Sequence, residues 1–133
     1  LTFERLRTYL DAQEKQGRAR DASRVGVARA LHVIRSESER RKALERRAEN
    51  LKNIGELARK PGSSDPLVDD GALIGTPAEI IDKLQRLAAG GVEYVLLTNA
   101  LVTRESLLEF YEEIMPHVSA PATSKPSRAA AAA

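Results

Sequence analysis

Thr76-Pro77-Ala78-Glu79-Ile80-Ile81-Asp82-Lys83-Leu84-Gln85-Arg86-Leu87-Ala88-Ala89-Gly90-Gly91-Val92-Glu93-Tyr94-Val95-Leu96-Leu97 reads as a helix feeding directly into a strand. Thr76 can cap the helix, Pro77 sits in the first turn where its missing N–H does no harm, and Glu79 can reach back to the cap. Ile80, Ile81, Leu84, Leu87 and Ala88 make one apolar face, and Gly90-Gly91 ends the helix. Residues 92–97 then form a strand with almost no polar interruption. A helix joined this tightly to a buried strand is half of a βαβ unit, which predicts parallel strands.

Upstream, residues 24–34 give a first strand. One face carries Val25, Val27, Arg29, Leu31 and Val33, and the other carries Gly26, Ala28, Ala30, His32 and Ile34. Both faces are largely apolar, as in a parallel strand covered on each side, and the small-residue face suits the crowded interior of a closed barrel. Before it, residues 2–16 have helical spacing through Phe3, Leu6 and Leu10, with Gly17 as the stop. After it, Ser36 and Glu39 form a capping-box pattern for a helix over residues 37–59. Its inward stripe is Leu44, Ala48, Leu51, Ile54 and Ala58, with Glu37–Arg41 and Glu56–Lys60 as i,i+4 pairs. Pro61-Gly62-Ser63-Ser64-Asp65-Pro66 breaks that helix, and irregular chain is expected as far as Gly75. Thr103 caps a last helix, predicted to be buried through Leu107, Leu108, Tyr111, Ile114 and Met115 and stopped by Pro116. Residues 119–133 are a Pro/Ser/Ala tail that reads as disordered.

The result is a helix-rich α/β pattern with two strands, too few to bury all of these helices and cover their own edges. The supply of large apolar side chains is also thin. Among 133 residues, 42% are hydrophobic, but 20 are alanine, and the aromatics are three tyrosines and two phenylalanines. Together with a first residue other than Met, this points to a piece of something larger. With no cysteine, disulfides and thiolate metal sites are excluded, and His32 and His117 have no ligand spacing, so no metal site is expected. A net charge of +2 with acids and bases interspersed is not a nucleic-acid footprint. No signal peptide or stretch long enough to cross a membrane is evident, so a cytoplasmic protein is expected.

Leu73-Ile74-Gly75-Thr76-Pro77-Ala78-Glu79, followed by Ala89-Gly90-Gly91-Val92, resembles the end of the luciferase-like flavin-dependent monooxygenases, where a "GTPEE" helix leads through "AGV" into the eighth barrel strand. Glu112-Glu113-Ile114-Met115-Pro116 looks like that family's closing helix. Val27-Ala28-Arg29-Ala30-Leu31-His32-Val33, running into Ser36-Glu37-Ser38-Glu39, is similar to its seventh strand and following helix. The resemblance implies that residues 1–118 are the C-terminal portion of a TIM-type (β/α) barrel, its last two parallel strands with their helices, because such barrels need ~250 residues. It also implies reduced FMN, or a deazaflavin coenzyme, acting with O2 on a small organic substrate in the full-length parent. The isolated chain is expected to lack activity and to bind no flavin alone. Its partner would be the missing N-terminal part of the barrel or another copy of itself, as a homo-oligomer. The alternative is a non-catalytic remnant that acts by association.

Barrel active sites form at the C-terminal ends of strands, which makes four residues the candidates. His32 is the catalytic candidate, since imidazole titrates near neutrality; the alternative is a hydrogen-bonded core histidine. Arg29 interrupts an aliphatic face and must be paired if buried, which favours a structural role over cofactor contact. Thr98 and Asn99 can hydrogen-bond a flavin ring or simply satisfy a turn. Gly75 and Thr76 are explained by capping and lack a phosphate-loop pattern.

Overall fold

The computed structural model describes residues 2–53, 72–98 and 104–118. The elements are α1 (Thr2–Lys15), β1 (Gly26–Val33), α2 (Glu37–Asn53), β2 (Ala72–Gly75), α3 (Pro77–Ala89), β3 (Tyr94–Thr98), α4 (Arg104–Glu109) and α5 (Met115–Val118). A π turn, Phe110–Ile114, joins the last two helices. The protein is α/β and helix-rich, as the sequence predicts, and its strands are parallel.

Among the described residues the sheet has three strands, in the order β2-β1-β3. The strand missed in the sequence is Ala72–Gly75, which was expected to be irregular; it pairs from Ala30↔Ala72 to Val33↔Gly75. β3 pairs with the other half of β1, from Gly26↔Tyr94 to Ala30↔Thr98. All four residues of β2 are buried. Its outer edge is closed by Lys83 of α3, whose Nζ donates to the carbonyls of Ala72 (3.4 Å) and Ile74 (3.2 Å). A lysine ammonium held over the carbonyls of an edge strand hinders further pairing there.

One sheet face packs against α1, α3 and the C-terminal helices. Leu31, Val33 and Leu73 meet Leu6, Ile80, Leu84, Leu87, Val92 and Ile114 there. A smaller cluster on the opposite face holds Ile34, Ala72 and Ile74 against Ala43 of α2, with Ala30 and Leu44 beside them. Helices therefore lie on both sides of the sheet, which the topology requires. From β1 the chain crosses one way to β2, then back over β1 to β3, and right-handed crossovers in opposite directions use opposite faces.

The α3 start matches its sequence signature. Thr76 Oγ1 accepts from the Glu79 N–H at 3.4 Å, and Glu79 Oε2 accepts from the Thr76 N–H at 2.7 Å. Gly91 has φ +90°, a conformation that favours glycine as the chain turns out of the helix. At α2, Ser36 Oγ caps Glu39 as expected, but Glu39 reaches back to the Arg35 N–H, one residue earlier. The expected Glu37–Arg41 pair is replaced by Glu37–Arg40, one turn position closer.

The last helix departs most from its sequence pattern. Of the five residues expected to be buried, only Ile114 is; Leu107, Leu108, Tyr111 and Met115 are exposed. A three-stranded sheet offers too little surface to cover a second apolar side of this helix. Pro116 does not stop it either, since α5 runs to Val118. The π turn one step earlier re-routes the helical hydrogen bonds, as the Met115 N–H donating to Phe110 O illustrates. Asn99, Thr103, Ile54, Ala58, the 61–71 segment and the 119–133 tail lie outside the described residues.

Candidate functional site at the C-terminal edge of the sheet

β1 and β3 lie side by side, yet the helix after β1 goes to one face and the helices after β3 go to the other. Such a parting of the chain opens a crevice at the C-terminal ends of the strands, where open α/β sheets bind ligands. β1 runs three residues beyond β3, so Leu31, His32 and Val33 project past Thr98.

His32 sits on this overhang, partly exposed, with Nε2 3.5 Å from Glu39 Oε1. The separation is longer than a strong hydrogen bond, but the carboxylate is positioned to orient the ring. Thr98 ends β3 exposed, on the same sheet face as His32, level with Ala30. That face is otherwise bare over the N-terminal half of the sheet. Tyr94 is 54% exposed and Leu96 49%, with Gly26 and Ala28 exposed beside them. The Tyr94 ring lies over Gly26, where a Cβ would come within 2.9 Å of it and the ring would have to shift outward.

Arg29 points to the other face. It is only 8% exposed and donates to Thr2 Oγ1 (2.6 Å) and the Ala28 carbonyl (2.8 Å). The structure therefore separates Arg29 from His32 and Thr98 and ties it to the start of α1. Gly75 and Thr76 are occupied in capping α3, with Glu79 filling the space above Gly75.

Sequence reasoning missed the ion pairs around this edge. Arg35 binds Glu113 at 2.7 and 3.3 Å and Glu109 at 3.2 Å, fastening the C-terminal helices to the end of β1. Arg40 binds Glu79 at 2.9 and 3.1 Å and Glu37 at 3.1 Å, joining α2 to the start of α3. Partners 78 and 39 residues apart leave no local signal in the sequence. The Glu113 and Glu109 carboxylates hold the Arg35 guanidinium above its ordinary range, and Arg35 in turn holds Glu113 low. The Thr76 N–H, followed by Arg40, lowers Glu79. These arginines are held by acids, which makes the edge a clasp; among the described residues, His32 and Thr98 are the candidate groups it leaves accessible. No group of three or more metal-ligating side chains occurs among the described residues.

The clasp predicts a pH dependence. Carboxylates whose folded pKa is depressed stabilise the fold above the unfolded value, and this stability is lost as pH falls through the folded value. Urea midpoints should hold steady near neutrality and drop below about pH 4.3. Glu79→Gln should flatten part of that drop; an unchanged slope would remove Glu79 from it.

No helix among the described residues is long and apolar enough to cross a membrane. No protein-family model, curated protein or solved structure matches this chain.

Proposed function

We propose that this chain is the C-terminal portion of a luciferase-like flavin-dependent oxidoreductase, a partial TIM-type barrel supplying one wall and part of the rim of a flavin site. The bare sheet face is the observation that carries the proposal. Gly26, Ala28, Tyr94 and Leu96 are exposed there, with His32 and Thr98 towards its C-terminal end, while α1, α3 and the C-terminal helices pack on the far side. A barrel turns its small-residue strand face inward and its helices outward, and binds ligands at the C-terminal strand ends. In the complete protein, reduced FMN or a deazaflavin coenzyme supplies the redox chemistry, with O2 as co-substrate in the monooxygenase branch. His32, oriented by Glu39, serves as the proton-handling group, and Thr98 offers a hydroxyl to the ring or the substrate. Arg29 holds the wall together from behind.

One wall does not make a flavin site. The isolated chain should therefore leave FMN fluorescence unquenched at micromolar protein, and saturable micromolar quenching by this chain alone would overturn the proposal.

Two observations favour a second reading. β2 occupies the edge of β1 that a preceding barrel strand would use, and α2 packs on the face that a barrel turns inward. Both belong to an open doubly wound sheet. On that reading the chain is a non-catalytic unit that associates through its bare face.

A further inference from the structure

The last helical stretch, residues 104–118, is seated on the sheet through one side. Ile114 is fully buried there, and Phe110 packs beside the same cluster. The other side carries Leu107, Leu108 and Tyr111, which are 49%, 46% and 66% exposed, with Met115 exposed beyond them. Steps of three and four residues put these side chains on one stripe, the spacing by which one amphipathic helix seats against another. We propose that this stripe is a docking surface for a basic amphipathic helix of a partner protein, one whose apolar seam is bordered by lysine or arginine.

Charge identifies the occupant. Residues 104–118 hold four glutamates, at 105, 109, 112 and 113, against one arginine, Arg104. Glu109 and Glu113 are engaged with Arg35. Glu105 and Glu112 are exposed, three residues before and four after Leu108, so both carboxylates border the stripe on its Leu108 side. An apolar centre with a charged border is how a helix recognises a second amphipathic helix. The same stripe of a second copy would set these acids against acids, which disfavours self-pairing. Cations beside the partner's seam complement them instead. Tyr111, the most exposed of the apolar residues, is the anchor: a large ring with a polar tip, of the kind that dominates binding at such contacts.

The stripe lies on the helix side of the sheet, away from His32 and the bare face, so the flavin proposal plays no part here. The test uses the 133-residue chain and two fluorescein-labelled, end-capped helical peptides of about 15 residues. They share one leucine seam and differ only in lysine or glutamate at the bordering positions. Saturable anisotropy with the lysine peptide is expected, with the glutamate peptide at least about tenfold weaker. Tyr111→Ser should weaken the lysine peptide about tenfold. Glu105→Lys with Glu112→Lys should reverse the preference in favour of the glutamate peptide. None of these changes touches the Ile114 seat. Equal affinity for the two peptides, an affinity unchanged in Tyr111→Ser, or loss of binding in the sheet-face pair Tyr94→Lys with Leu96→Lys would each overturn the proposal. So would a dimer that Tyr111→Ser separates, which would assign the stripe to a second copy.

Discussion

Ile80→Ala should destabilise the protein by about 3 kcal/mol, lowering the melting temperature by on the order of 10 °C. Ile80 is the inward residue of the first turn of α3 and has 0% of its surface exposed. It packs among Leu31, Leu73, Leu84 and Ile114, where the sheet, α3 and the C-terminal helices meet. Deleting most of that side chain forfeits its transfer energy and leaves a cavity that few neighbours can fill, because the other side of the last helix already faces outward. In a chain this short the total stability lies near the low end of ~5–15 kcal/mol, so the loss is a large share of it. Ile81→Ala, half-buried next door, should cost less than half as much. Urea unfolding of the two variants makes the comparison; equal losses would mean that α3 is not seated on the sheet through Ile80.

The bare face yields the second large effect. Tyr94 and Leu96 present exposed apolar surface beside Gly26 and Ala28, next to the outer edge of β3, which no other described strand pairs. Exposed apolar strands with open edges associate. The chain alone should therefore sediment as a dimer or larger species at tens of micromolar. Tyr94→Lys with Leu96→Lys should raise the dissociation constant at least about a hundredfold, since each removes a large apolar contact and places like charges face to face. Far-UV circular dichroism should not change, because neither residue belongs to the core. A wild-type chain that is monomeric and folded at this concentration would count against any role for this face in association.

How much was legible in the sequence depends on how local the cause is. The α3 start, the glycine pair at its end and both long strands are written in residues a few positions apart, and all are present. β2 is four residues long, too short for a period to show, and follows a Pro/Gly/Ser-rich break, so its sequence reads as a continuation of irregular chain up to Gly75. Its identity as a strand comes from pairing with β1, about forty residues away in sequence. The α4 face was misjudged for a related reason. Periodicity shows which side of a helix is apolar, and it cannot show whether another layer exists to cover that side. At the site, the split of β1 into one face with Arg29 and another with His32 followed from alternation alone. The clasps Arg35–Glu113 and Arg40–Glu79 and the neighbourhood of Lys83 depend on how the elements pack.

The central claim, that this chain is one wall of a flavin site completed by further polypeptide, is tested most directly by titrating FMN into two proteins side by side. One is the 133-residue chain and the other is the product of the complete reading frame that encodes it. Saturable quenching at micromolar protein by the longer product, and none by the chain alone, is the predicted result. Quenching by the chain alone, no quenching by the longer product, or a reading frame no longer than this chain would contradict it.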